Sequence, residues 1–363
     1  MDEFHSYTSI ENTHNAKFMN QVYNHCPPDE QWCATEKIHG SNFSAHVDGN
    51  TIKWGKRTAF LTDEELPSFY NCHHVKENYG KKIMSLFQSI QSKSEEKIEV
   101  MRVFGELCGG GYEGILSGHK YTVESMDHIP KIKFINSYKN KVKMVQQEVQ
   151  YVPTIEFIIF DICIITSKTR YYMGMKDVIH ECNMADLPCV PILHIGTIVD
   201  LVKLSPNFIT TIPQIFDLPA FENNMAEGYV FKPLNEKKLP LGSRSILKHK
   251  SATFGEKSNK KVIVSRSIIK ATEKHNEIID HICQFICVNR LNNVKSKLTS
   301  DELTNNKKVS GHLIQDAIAD ALKELSEEDI KFYSKERSII MPQLNTFAIE
   351  TLHKSTMSVT TVV

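Results

Sequence analysis

The run Glu36-Lys37-Ile38-His39-Gly40-Ser41-Asn42 sets one lysine among polar side chains, between the end of a strand-like segment and a glycine turn. A lysine amine attacks only in its neutral form, and nearby cations favour that form by making protonation costly. Lys37 is therefore read as a covalent nucleophile. Attack on phosphorus would also need neutralised phosphate charge and an oriented leaving group. Leu247-Lys248-His249-Lys250 offers the cations. On a strand, Lys248 and Lys250 point to one face, where they could hold a phosphate and disfavour a third positive charge on Lys37. Glu227, ahead of Gly228 and the apolar Tyr229-Val230-Phe231, places a carboxylate where a magnesium ion could bridge phosphates; an exposed acid at a strand start is the plainer reading.

Three further residues fit a nucleotide. Glu106 lies in Val103-Phe104-Gly105-Glu106-Leu107-Cys108, where an acid is costly unless a partner such as a ribose hydroxyl satisfies it. Phe160 lies in Phe157-Ile158-Ile159-Phe160-Asp161-Ile162, apolar on both faces, so core packing is its default and stacking on a base needs context. Arg57, closing Lys53-Trp54-Gly55-Lys56-Arg57, has the planar fork that matches phosphate.

The elements that must position these residues read as short strands broken by turns between about Gln31 and Lys250. They are predicted at 42–47, 51–56, 99–107, 155–165, 228–232 and 245–250, with helices at 11–24, 75–91 and 175–182. This predicts an α+β body rich in antiparallel sheet over residues 1–254. From 255 onward a polar stretch gives way to helical spacing, predicting a small all-α domain over 255–363. Its helices are expected at 267–291, at 311–325 with Ser310 as N-cap, at 327–335 with Ser326 as N-cap, and at 343–353 after Pro342. Within it, residues 255–308 carry eleven Lys/Arg against six Asp/Glu, and 309–363 five against eight. That asymmetry suits a surface meeting phosphates and cations, or two ordinary solvated helix faces.

Composition narrows the class. With 363 residues, 41% hydrophobic and 24% charged, the chain can fold as two globular domains. Forty-three basic residues cancel forty-three acidic ones, so any nucleic-acid binding must rest on a local patch. Nine cysteines without a C-x-x-C pair argue against a disulfide framework and for a reducing compartment. No run approaches the ~20 apolar residues of a membrane span, and the acidic start Met1-Asp2-Glu3-Phe4 suits neither a signal nor a transit peptide. A soluble, intracellular and cytoplasmic protein is expected.

In order and spacing, these pieces resemble the covalent nucleotidyltransferases, and within them the RNA ligase 2 family of phage and trypanosome-editing RNA ligases. Lys37-Ile38-His39-Gly40-Ser41-Asn42 is similar to that family's first motif, with His39 where DNA ligases and capping enzymes usually carry Asp and with Asn42 two residues after the glycine. The resemblance implies a nucleotidyltransferase domain using ATP and Mg2+ (or Mn2+), with AMP attached to Lys37. It implies Glu36, Glu106 and Phe160 around the adenosine, His39 and Asn42 near the reacting phosphates, and Arg57, Glu227, Lys248 and Lys250 on phosphates and metal. It implies RNA as partner, with nicked duplex as the favoured substrate, and it implies that Phe69-Tyr70 contact the RNA end bearing the 3′-hydroxyl, although ordinary packing also accounts for that pair. In the second domain Arg290, Asp316 and Asp320 resemble residues used in sealing, Asp320 standing where a glutamate is expected. Asp316 and Asp320 share a helix face and repel unless a cation or RNA hydroxyl intervenes. A solvated acidic ridge is the other reading.

Other features compete. Gly109-x-Gly111-x-x-Gly114 matches a dinucleotide-binding fingerprint but lacks the helix that must follow. His281, Cys283 and Cys287 could be called a metal cluster, but buried thiols on one helix are simpler. Lys131 to Lys143 holds five lysines, two aromatics and no acid, suiting an RNA track or a lysine-protected hairpin edge. A DNA ligase or capping enzyme is the nearest chemical alternative, yet those usually append a small β-barrel where this chain turns helical. A catalytically silent RNA-binding protein of the same fold is the alternative of another class.

Overall fold

The computed structural model describes residues 3–110, 144–146, 148–218, 220, 223–240, 242–255 and 272–357. The basic segment Lys131 to Lys143, and Gly111 and Gly114 of the fingerprint, lie outside the described residues. The backbone falls into two compact units, Met1–Ser251 and Ala252–Val363.

The first unit is built on two five-stranded sheets. One has the order β1 (Glu11–Asn12), β10 (Leu247–Lys250), β9 (Gly228–Pro233), β2 (Trp32–Glu36), β8 (Ile192–Gly196); the other runs β4 (Ile52–Lys56), β3 (Ser41–Val47), β5 (Ile98–Gly109), β6 (Ile155–Thr166), β7 (Arg170–Tyr172). Every pairing is antiparallel except β1 with β10. Its helices are α1 (Ala16–His25), α2 (His73–Lys93), α3 (Met175–Met184), α4 (Ile198–Leu201) and α5 (Ile212–Ile215).

Three apolar layers hold this unit together. β6 reads Ile-Glu-Phe-Ile-Ile-Phe-Asp-Ile-Cys-Ile-Ile-Thr, a β-branched and aromatic run that is buried on both faces. On one side of its sheet α2 buries Val75, Tyr79, Ile83, Leu86, Phe87 and Ile90, the i, i+4 spacing of an amphipathic helix. The other sheet packs Trp32, Ala34, Tyr229, Phe231 and Leu247 against Met19 and Val22 of α1. A small cluster of Tyr7, Phe104, Cys163, Tyr172 and Ile246, joined by Phe160 and Val230, lies where the sheets meet.

Local chemistry moves several boundaries from their sequence expectation. The helix expected from Glu11 starts at Ala16, because Glu11–Asn12 pair with β10 and Asn15 accepts the Phe18 N–H as N-cap. The strand expected from Ser245 begins at Leu247. β8 was not among the expected strands, and α4, α5 and β7 carry only three or four residues each, too few for a periodic signal.

The second unit is all helical in its described residues after Thr272: α6 (Glu273–Cys283), α7 (Val288–Lys295), α8 (Ser300–Leu303), α9 (Asn306–Glu324), α10 (Glu327–Lys335) and α11 (Arg337–Met357). The single helix expected over 267–291 is broken after Cys283. Ser310 is not a cap: Asn305 accepts the Lys307 and Lys308 N–H groups, and Ser310 Oγ donates back to the Lys307 carbonyl inside the helix. Ser326 does cap α10, accepting the Asp329 N–H at 3.2 Å. Pro342 lies inside α11 and does not start it. Cys283 is buried in the helical core and His281 meets the Ala321 carbonyl, so neither builds a metal cluster with Cys287 among the described residues.

One glycine of the first motif is dictated by packing. A Cβ on Gly40 would sit 2.0 Å from the Leu107 carbonyl oxygen and 2.8 Å from the Glu106 Cγ, where β3 runs against β5. Gly40→Ala should therefore force the two strands apart and destabilise the fold by about 1–3 kcal/mol. Chemical denaturation checks this, and equal midpoints for variant and wild type would contradict it.

Candidate active site

The ladder between β2 and β9 continues one residue past β2, where the Lys37 N–H donates to the Gly228 carbonyl at 2.8 Å. This bond sets Lys37 beside the residue before Gly228. Lys37 Nζ lies 2.8 Å from Glu227 Oε2. The other carboxylate oxygen of Glu227 takes Lys250 Nζ at 2.7 Å, and His39 Nδ1 stands 3.5 Å from Oε2. Gly228 has φ +141°, and a Cβ there would meet the His249 carbonyl at 2.1 Å, so only glycine lets β9 and β10 come this close. In β10, Leu247 packs in the outer layer and His249 stacks on Phe231, so Lys248 and Lys250 share the opposite face.

Electrostatics divide the acids of this cluster. Burial alone would raise the Glu227 carboxyl, yet the charges of Lys250, Lys37 and His39 hold it well below the usual carboxylate range. Burial pushes Glu106 up to about 7; Lys37, Arg57 and His39 pull against this and Glu227 adds to it. Those influences put Arg57, at the end of β4, in the same field as Lys37. Asn42 pairs with Glu106 across β3 and β5. Burial also opposes charge on His39, but Glu148, 3.0 Å from Nε2, and Glu227 outweigh it and raise the imidazole. His39 is further fixed by its N–H, which donates to Tyr151 Oη at 2.7 Å.

Glu36 does not join this group. Alternation along β2 puts it on the side of Trp32 and Ala34, opposite Tyr229, and its carboxylate accepts bonds from the Thr210 hydroxyl and from the N–H and hydroxyl of Thr211 at 2.8 and 2.9 Å. Phe160 is the extra residue of a β-bulge, since Phe104 pairs with Asp161 and Gly105 with Ile159. The bulge takes its ring out of the alternating core pattern, half-buried and edge-on to Tyr7 at 4.9 Å. Its carbonyl accepts Lys232 Nζ at 2.9 Å. The following residue, Asp161, is fully buried; Tyr7 Oη and Arg244 Nη2 donate to it at 2.7 and 2.9 Å, and Lys232 approaches at 3.4 Å. Burial would raise this carboxyl, but Lys232 and Arg244 bring it below its ordinary value.

Phe69 corrects an expectation. Only 1% exposed, it lies beside Phe43, with ring centres 6.4 Å apart, inside the α2 core, so its ring offers no face to RNA. Tyr70, half-buried at φ +53°, packs on the same core and burial raises its hydroxyl. In the second unit Arg290 is the cation between the two carboxylates. Its Nη1 meets Asp316 Oδ2 at 2.5 Å and its Nη2 meets Asp320 Oδ2 at 2.8 Å, with Lys297 and Lys323 flanking the pair. The arginine is buried and joins α7 to α9, whereas both aspartates remain about a third exposed.

Sequence reasoning missed Glu148, Tyr151, Thr210, Thr211, Tyr7 and Arg244. Each is an isolated polar residue brought in by tertiary structure. Lys232 had a signal, as it shares the inner parity of β9 with Val230.

Residues 30–250 match the RNA ligase family and residues 269–349 the family described as T4 RNA ligase 2 C-terminal. The chain belongs to the RNA ligase family. RNA-editing ligase 2, mitochondrial, of Trypanosoma brucei brucei is 23% identical, over 90% of this chain and 83% of that protein. RNA-editing ligase 1, mitochondrial, of the same organism is 24% identical over 62% of this chain, which spans about half (48%) of its length. A solved Naegleria gruberi RNA ligase with PPi aligns at TM-score 0.41 and 15% identity, covering 70% of this chain and 58% of that one.

The raised Glu36 carboxyl carries a pH signature. Burial brings it from 4.5 to about 7, so between those values the folded chain holds a proton that the unfolded chain has released. Stability must fall as pH rises through that window. Glu36→Gln should remove this component, on the order of 1–3 kcal/mol, when urea unfolding at about pH 5 is compared with about pH 8. An identical pH dependence in variant and wild type would contradict the assignment.

Proposed function

We propose that this RNA ligase is ATP-dependent and works through a lysyl-AMP at Lys37. The observation that carries the reading is the single lysine at the mouth of the site, 21% exposed and 2.8 Å from a buried carboxylate that two other basic side chains also face. In the first step Lys37 Nζ attacks the α-phosphorus of ATP. An N–P bond forms, the bond to the bridging oxygen breaks, and pyrophosphate leaves with the electron pair. Glu227, its carboxyl held low, is a weak base, so the lysine's proton passes to water through the open side. The AMP then moves to an oxygen of an RNA 5′-phosphate, and Lys37 departs. Finally a 3′-hydroxyl, giving its proton to water, attacks the phosphorus of the RNA 5′-phosphate; the bond to AMP breaks and AMP leaves with the electron pair. Lys250, Lys248 and Arg57 are suited to phosphate oxygens, Phe160 to the base and Glu106 to the ribose.

The donor set fits a hard divalent cation. Both Glu227 oxygens face basic groups, so this carboxylate would offer a ligand once Lys37 parts from it, with Glu106 nearby; magnesium usually completes its shell with water and substrate phosphates and not with a full protein cage. Such an ion, when bound, neutralises phosphate charge. Charge release around Lys37 follows from the same geometry: the amine must part from Glu227 before it can attack. The second unit, with Arg290 locked between Asp316 and Asp320, is assigned to holding RNA ends during sealing. Residues 1–254 are assigned to nucleotide transfer.

Nicked duplex RNA is the proposed substrate, with the nick opposite either an RNA or a DNA strand. Incubating the protein with ATP and magnesium and with labelled nicked RNA duplex, single-stranded RNA or nicked DNA should give sealing chiefly of the RNA nick, lost in Lys37→Ala. Sealing of nicked DNA alone would favour the DNA-ligase alternative, and no sealing of any substrate the silent-binder alternative.

A further inference from the structure

A partly open pocket of about 530 Å³ is lined by residues of α2, the start of β6, the turn after α3 and the end of α5. Its size falls within the range of small-ligand sites. None of the residues assigned above to ATP or RNA lines it.

The cavity has one buried polar corner. Glu156, 6% exposed, accepts the Tyr79 hydroxyl on Oε2 and the Thr154 hydroxyl on Oε1 at 2.7 Å. Burial, followed by the charge of Glu156, raises the Tyr79 hydroxyl, so it keeps its proton and stays a donor to Glu156. A carboxylate has about four acceptor positions, and two are used here. The corner therefore favours a ligand that donates hydrogen bonds. Ile155, Leu187, Pro188, Ile215 and Phe216 form the apolar part of the lining, beside the polar His74, Asn78, Asn183, Lys82 and Asp186.

Charge excludes an anion from the interior. Among the described residues of the lining Lys82 is the only Lys or Arg, and its Nζ is bound to the Asp186 carbonyl at 2.9 Å and to the Asp186 carboxylate. A phosphate would meet Glu156 and Asp186 against that one engaged cation. The turn is already built: the Leu187 N–H bonds to the Cys182 carbonyl at 2.9 Å and the Ile159 N–H to the Pro188 carbonyl at 2.9 Å.

We propose that this cavity receives a nucleobase bearing an exocyclic amine, its ring between the apolar walls and its amine donating to Glu156, with any phosphate left outside. The inference rests on the RNA-ligase reading for the biological source of the base, which is either an unstacked residue of RNA or a free nucleoside. A carboxylate accepting from the cytosine amine discriminates it from uracil, whose equivalent position is an acceptor.

Calorimetric titration of the full chain with cytidine, uridine, hexacytidylate and hexauridylate tests it. Wild type should bind the cytosine ligands on the order of tenfold more tightly than the uracil ones. Glu156→Gln should erase that preference, and Ile215→Trp, which fills the cavity and leaves Glu156 in place, should weaken cytosine binding without relying on the first variant's folding. Preference by both cytidine and its hexamer identifies a free nucleoside as sufficient, and preference by the hexamer alone identifies RNA. Equal binding of cytosine and uracil by wild type, or a preference that survives both substitutions, overturns the proposal. ATP-dependent labelling of Lys37, measured on the same preparations, should be unchanged in both variants; its absence from wild type would count against the ligase mechanism and leave the base titration readable.

Discussion

The site depends on one buried carboxylate. Glu227 is withdrawn from water and ionised only because Lys37, Lys250 and His39 stand around it. An uncompensated charge in that place would be strongly destabilising, so the three basic groups and the acid form a unit. Their registration is a backbone matter. Gly228 brings β10 against β9, and the Lys37 N–H extends the β2–β9 ladder by one bond. Sheet geometry thus aims an otherwise mobile side chain. The same pairing holds the Lys37 amine against the carboxylate.

A second charged network is separate in position and in effect. Asp161 is closed off by Tyr7, Arg244 and Lys232, and Lys232 also reaches the carbonyl of Phe160. The bulge that turns Phe160 out of the strand pattern is held by these contacts. Arg244 is itself braced by Glu236 at 2.6 Å and by the face of Tyr172, 3.5 Å away. Glu227 therefore organises the lysine cluster and Asp161 the surroundings of Phe160, with Lys250 of β10 facing the first and Lys232 of β9 the second.

The strands that carry these residues were legible because their apolar patterns are strong and their glycines close. Two-residue periodicity put Lys248 and Lys250 on one face, whereas their grouping with Lys37 and Glu227 came from what attack on phosphorus requires and from the resemblance to RNA ligases. The bulge at Phe160 was not legible: the run is apolar at every position, and nothing in it marks where the register slips. The direction of Glu36 was hidden for a related reason, as its partners Thr210 and Thr211 lie far along the chain in a short helix entry. Phe69 was set at the RNA end by resemblance alone, whereas the chain folds back and buries its ring against Phe43, the ordinary packing that was its other reading. In the helical unit, the i, i+4 spacing of Asp316 and Asp320 was visible, but the cation between them came from another helix.

The most direct measurement is intact-mass analysis and peptide mapping of the protein after incubation with ATP and magnesium. The chemistry argued from the Lys37 and Glu227 geometry predicts one added AMP, carried by the peptide that contains Lys37. An adduct on any other side chain, or an unmodified chain under conditions where it remains folded, would contradict it.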